Sequence, residues 1–171
     1  QVYFQAQGVP EAAFGANPRA ALAKMYYALS GDAHRDGAKW PTLPANAPLL
    51  DHLPLPAPFP DWMSAEELDY FAENFATSGF EGPFNRYRNI DRDYRELPHY
   101  GVGAITQPSA FIAGALDPVR TFVPGRDAFE SAGELLADLR QTTIIDGAGH
   151  WIQQERPIEV REALLRFLKG L

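Results

Sequence analysis

Two short apolar runs, Ser109-Ala110-Phe111-Ile112-Ala113 and Thr142-Thr143-Ile144-Ile145, are each followed within two residues by glycine and then by one titratable side chain. The first leads into Gly114-Ala115-Leu116-Asp117, the second into Gly147-Ala148-Gly149-His150-Trp151. Runs of this length and composition read as buried strands, over 109–113 and 140–145, and the glycines let the chain turn at their ends. Side chains just past the carboxyl ends of strands in an α/β sheet face the ligand crevice, so an acid and a base placed there can meet. Asp117 and His150 therefore read as the orienting half of a nucleophile, His and acid triad. Each alone has an ordinary explanation, Asp117 as a cap on the segment after it and His150 as a loop histidine. The two together, in this order, carry the functional reading.

The rest of the second half, residues 104–171, fits an α/β arrangement. A helix is expected over 119–131, between the two strands, and Pro157 opens a last helix whose Val160, Leu164, Phe167, Leu168 and Leu171 form a docking stripe. The order strand, helix, strand, helix predicts parallel pairing with a right-handed crossover. Residues 1–103 differ in kind and look helical. Asn17-Pro18 supplies an N-cap and a first-turn proline for a helix carrying Leu22, Met25, Tyr26 and Leu29 and ending at Gly31. Ser64-x-x-Glu67 reads as a capping box before Leu68, Phe71, Ala72 and Phe75, with a stop at Ser78-Gly79. Tyr87, Ile90, Tyr94 and Leu97 mark a third helix after Gly82-Pro83. Between the first two lies a connector, 41–60, with seven prolines. Its neighbours Trp40 and Trp62 and its own Leu49, Leu50 and Phe59 are too apolar for a solvated tether, so it reads as an ordered loop over a surface.

With 171 residues, 46% of them hydrophobic, the chain can bury a substantial core. Its net charge is −7 and its Lys and Arg are scattered, which argues against nucleic acid as a partner. The absence of cysteine excludes disulfides, thiolate catalysis and Cys-based zinc sites, and fits a reducing compartment such as the cytoplasm. No run approaches a membrane span of about 20 apolar residues. His34, His52, His99 and His150 show no metal-ligand spacing, so neither metal nor cofactor is expected.

Further motifs carry a resemblance. Tyr3-Phe4-Gln5 with Gly8-Val9 and Glu11, Ser78-Gly79-Phe80-x-Gly82-Pro83-x-Asn85-x-Tyr87-Arg88-Asn89, Asp117 after its strand, and Gly149-His150-Trp151 span nearly the whole chain. Together they resemble the epoxide hydrolases of the α/β-hydrolase fold. The resemblance implies a mainly helical cap followed by the last parallel strands and helices of the core. It also implies that Tyr3 and Tyr87 donate to the epoxide oxygen, and that Asp117 is the acid and His150 the general base. Trp151, next to His150, reads either as a lining of the substrate pocket or as simple packing. The family's nucleophilic Asp and its His-Gly-x-Pro segment are not in this sequence, and Gln1 opens the chain without Met in mid-pattern. The chain is accordingly expected to be a fragment whose partner is the upstream half of the same enzyme, with a small hydrophobic epoxide and water as reactants. A homodimer is left open.

The chemistry agrees with these residue types. An epoxide has ring strain but an alkoxide leaving group, so its oxygen needs a proton donor as charge develops. Phenols, with ordinary pKa about 10, remain protonated and can supply it. His150, oriented by Asp117, would then activate water against the ester formed on the missing carboxylate. Two alternatives remain at this stage: a haloalkane dehalogenase or another hydrolase of the same fold, and a non-catalytic binding module that keeps the hydrolase shape.

Overall fold

A computed structural model of the chain describes residues 2–97, 105–131 and 133–171. In chain order they form helices α1 (Val2–Gln5), α2 (Val9–Ala16), α3 (Pro18–Ala28) and α4 (Gly31–Arg35), a 3-10 turn (Leu49–His52), and helices α5 (Ala65–Ser78), α6 (Glu81–Arg88) and α7 (Ile90–Glu96). Strand β1 (Ile105–Gly114), a second 3-10 turn (Pro118–Thr121), strand β2 (Leu136–Ile145) and helices α8 (Ile152–Glu155) and α9 (Pro157–Lys169) complete the order. Among the described residues no helix is long and apolar enough to cross a membrane. Two compact units emerge, one from residues 1–28 and 40–98 and the other from 29–39 and 99–171. The expected boundary at 103 and 104 lies outside the described residues, as does His99. Residues 29–39 group with the second unit, a feature a single boundary does not capture.

The first unit is built on aromatic packing. Phe4 stacks on Phe84 at 5.2 Å, Phe14 meets Phe80 and Phe84 edge-on at 5.4 and 5.2 Å, and Phe75 stacks on Phe80 at 4.7 Å. The helices around this nest begin where their caps dictate. Asn17 Oδ1 accepts from the Ala20 amide at 3.0 Å ahead of Pro18, which lacks an amide hydrogen that the first turn would leave unused. Ser64 Oγ accepts from the Glu67 amide at 3.1 Å while the Ser64 amide donates to Glu67 Oε2 at 2.8 Å, a reciprocal capping box. These bonds to Ser64 hold the Glu67 carboxyl below its ordinary pKa. Gly79, at φ 73°, ends α5 in a conformation that a side chain would strain. Leu49, Leu53 and Met63 are buried in the same core, with Trp40, Phe59 and Trp62 packed against it, so the proline-rich connector is an ordered cover.

The expected third helix is divided at Asn89 into α6 and α7. The Asn89 amide still bonds to Asn85 O and the Asp93 amide to Asn89 O, so helical periodicity runs through the break and conceals it. Phe84 anchors α6, whereas α7 buries no residue; its Tyr94 is 86% exposed.

In the second unit β1 and β2 pair in parallel, from Ile105 opposite Leu136 to Gly114 opposite Ile145. Both strands start four residues earlier than expected, at Ile105 rather than 109 and at Leu136 rather than 140. Pro108 looks like a boundary in sequence, but it interrupts a longer strand: the register shifts between Ile105 and Pro108 and again between Ser109 and Ala110, around a residue with no amide hydrogen to donate. The helix expected over 119–131 is absent from the described residues there; the chain makes only the 3-10 turn and then further turns. Pro124-Gly125, with Gly125 at φ 75°, breaks helical continuity. Arg120 organises the loop in its place, pairing with Asp127 and donating to Ala115 O at 3.0 Å. The stripe predicted on α9 is also only partly covered. Val160 and Ala163 are buried, the former with Ile145, Ala148 and Ile152, while Leu164, Leu168 and Leu171 remain exposed. Two strands cover one narrow face of the helix and no more.

Candidate active site

The two strand ends are drawn together by glycine. A Cβ on Gly114 would stand 2.1 Å from Gly149 O and 2.4 Å from Ala148 O, so only glycine permits this approach. The chain leaving β1 is then stitched to the chain leaving β2, with the Ala115 amide on Ile145 O and the Leu116 amide on Ala148 O, both at 2.9 Å. This delivers Asp117 to His150: Oδ2 lies 2.9 Å from the imidazole Nδ1. Asp117 Oδ1 accepts from the Val119 amide at 2.9 Å, so one carboxylate caps the following turn and holds the histidine. The Asp117 side chain is 10% exposed and that of His150 38%, which leaves the acid sheltered and the ring reachable. An ionised carboxylate can only accept, so it selects the tautomer with hydrogen on Nδ1 and leaves the lone pair of Nε2 for chemistry. Trp151 stands edge-on to His150 at 4.9 Å between ring centroids.

Sequence reasoning missed Glu155. It is 5% exposed, and its carboxylate receives three backbone amides: Gly31 and Gly149 on Oε2, each at 2.9 Å, and Trp151 on Oε1 at 3.1 Å. The His150 amide itself donates to Leu29 O at 2.9 Å. Close backbone contact again requires glycine, since a Cβ on Gly149 would lie 2.4 Å from Gly31 N and one on Gly31 would lie 2.3 Å from Gly147 O. This explains why residues 29–39 group with the second unit. A readable signal did exist: Glu155 follows Ile152 by three positions and so shares its apolar face in a helix, where a carboxylate must find donors.

The two tyrosines belong to the first unit. Tyr3 on α1 and Tyr87 on α6 both pack on the ring of Phe4, at centroid distances of 5.3 and 4.9 Å. Neighbouring polar residues tie these helices. Gln5 Nε2 donates to Tyr87 O at 3.2 Å, and Arg88 donates to Ala6 O at 2.8 Å and to Asn85 Oδ1 at 3.1 Å while pairing with Glu11. Gln5, Glu11, Asn85 and Arg88, which lie in the motifs around the tyrosines, thus form the brace between them. Burial, and secondarily the charge of Asp51, push the Tyr3 phenol above its ordinary pKa, so it stays a proton donor. Tyr87 lines a hollow of about 400 Å³ with Arg86, Asn89, Ile90 and Asp93. The structure therefore joins Asp117, His150 and Trp151 in one unit and packs Tyr3 and Tyr87 on a shared ring in the other.

No family model matches the chain. Individual proteins do. Epoxide hydrolase A of Mycobacterium tuberculosis is 39% identical over 170 residues, which is 99% of this chain and 52% of that protein. Epoxide hydrolase 1 of Siraitia grosvenorii is 34% identical over 169 residues, 97% of this chain and 51% of that protein. The crystal structure of epoxide hydrolase A from Mycobacterium thermoresistibile superposes with a TM-score of 0.84 at 41% identity, covering 99% of this chain and 51% of that one. The chain spans about half the length of the curated relatives it matches. Over that half it is a homologue of the epoxide hydrolases, of the α/β-hydrolase fold.

Proposed function

We propose that the chain forms the cap and the C-terminal part of the core of an epoxide hydrolase that converts a small hydrophobic epoxide to a vicinal diol, with a cytoplasmic location as part of the same reading. Residues 1–103 supply the cap, apart from 29–39, which group with the core of 104–171. A carboxylate from the upstream half attacks a ring carbon; the carbon–oxygen bond of the epoxide breaks, and the alkoxide takes a proton from Tyr3 or Tyr87. His150 Nε2 then removes one proton from water, whose oxygen attacks the ester carbonyl. The acyl carbon–oxygen bond breaks, the water's other proton leaves on the diol, the carboxylate is freed, and the proton held on the imidazolium returns through solvent to the tyrosinate. Asp117 steadies the imidazolium that this step creates. Trp151 lines the pocket beside the base. The observation that supports this reading best is the 2.9 Å contact of Asp117 with His150 in a chain similar throughout to proteins named epoxide hydrolases. The named relatives favour epoxide opening over dehalogenation and over a non-catalytic module.

The test is His150→Gln in the natural protein that carries this chain. Attack on carbon does not need the imidazole, whereas ester hydrolysis does. Incubated with a panel of aryl and alkyl epoxides, the variant should accumulate one covalently bound substrate, read by intact mass, and turn over about 100-fold or more slowly. Steady turnover at the parent rate would remove His150 as the base.

A further inference from the structure

We propose that Glu155 is the positioning residue for His150, a buried carboxylate that fixes the backbone on both sides of the base. The inference rests on the reading of His150 as the base. Consecutive amides tell the story. Gly149 N and Trp151 N donate to the two oxygens of Glu155, and His150 N between them donates to Leu29 O. The same Glu155 Oε2 receives Gly31 N, so the carboxylate also holds the turn that presents Leu29 O to the His150 amide. Every backbone donor from 149 to 151 is thereby committed. Asp117 then sets the ring through Nδ1, leaving Nε2 with a defined position.

No neutral side chain reproduces this. A carboxylate offers two acceptor oxygens and no hydrogen, and all three partners here are donors. Glutamine in its place would turn an NH2 group toward at least one amide and lose that bond. Alanine would leave three buried amides unpaired in a loop already at the limit of close approach around Gly31 and Gly149. The loop would then relax, and a general base displaced from its water loses rate steeply.

Glu155→Ala and Glu155→Gln are compared with the parent in the natural protein. The probe is styrene oxide, or whichever epoxide gives the largest burst in the His150→Gln experiment. Quenched single turnovers followed by intact mass give three quantities: the rate of ester formation, the rate of ester decay and the amplitude. We expect ester decay to slow about tenfold or more in Glu155→Ala, with an intermediate loss in Glu155→Gln, while ester formation and amplitude per folded molecule stay within about twofold. A purely structural role would lower the folded fraction, and with it the total amplitude, and leave the decay rate of the surviving molecules intact, which would overturn the proposal. Equal slowing of both steps would overturn it too. His150→Gln run alongside separates the two ideas. If it traps the ester while both Glu155 variants decay at the parent rate, only the positioning role falls; if it fails to trap, the base reading falls and takes this one with it.

Discussion

The tyrosine-bearing and histidine-bearing regions hold their key side chains by opposite means. Around Tyr3 and Tyr87 the framework is side chain on side chain: Phe4, Phe14, Phe80 and Phe84 interlock, and Arg88 and Glu11 brace the edges. Around His150 the framework is backbone on backbone, with Gly31, Gly114 and Gly149 letting main chains touch and one carboxylate collecting the amides. Packed side chains can shift and refill volume, so the first region should absorb change in proportion to the atoms removed. Main-chain contacts cannot yield without moving a strand end. The second region should therefore tolerate removal of atoms poorly and their addition hardly at all.

The largest expected effect is Gly114→Ala. Its one added carbon would meet two carbonyl oxygens at 2.1 and 2.4 Å, neither of them on a flexible side chain. Destabilisation of more than about 4 kcal/mol, or failure to fold, is expected from the urea midpoint. Next comes Phe84→Ala, which deletes a ring shared by Phe4, Phe14 and Phe80 and should cost about 3–5 kcal/mol. Phe84→Leu should recover part of that loss by refilling volume. If Gly114→Ala proves milder than Phe84→Ala, the contrast between the two regions is broken.

The sequence exposed what local rules govern and hid what tertiary contact decides. Asn17 and Ser64 announce their helices because a cap is a bond within one turn. Asp117 and His150 are legible because strand ends and glycines mark where polar groups emerge. The segment after Asp117 misleads: its apolar Val119, Phe122 and Val123 suggest a helix, but Pro124-Gly125 and the Arg120–Asp127 pair close a loop. Glu155 is legible only as a carboxylate on the apolar face of Ile152 that needs donors. Which donors stays hidden, because beside the nearby Trp151 and Gly149 amides the third is Gly31, 124 residues away. The exposed leucines of α9 mark the same limit, since periodicity predicts an apolar stripe without saying how much of it a two-stranded sheet covers.

The smallest expected effect sharpens the comparison from the side of charge. Burial alone would raise the Glu11 carboxyl, but hydrogen bonds from its own amide and from Arg88, together with the Arg88 charge, more than offset this and hold it below the ordinary glutamate value. Folding therefore favours the ionised form. The associated stability is fully present above the unfolded value of about 4.3, and it is lost as pH falls through the lower folded value. Arg88→Met removes the guanidinium that causes much of the shift, along with its bonds to Ala6 O and Asn85 Oδ1. At pH 7 the variant should be less stable by about 1–2 kcal/mol, and between about pH 5 and 3 it should lose less further stability than the parent. Urea midpoints of both proteins at the two ends of that window read the difference directly. Parallel pH curves would mean that Arg88 braces the tyrosine helices through its bond to Ala6 O, with Asn85 on its own helix steadying the guanidinium, and that its pairing with the Glu11 charge contributes nothing to that brace.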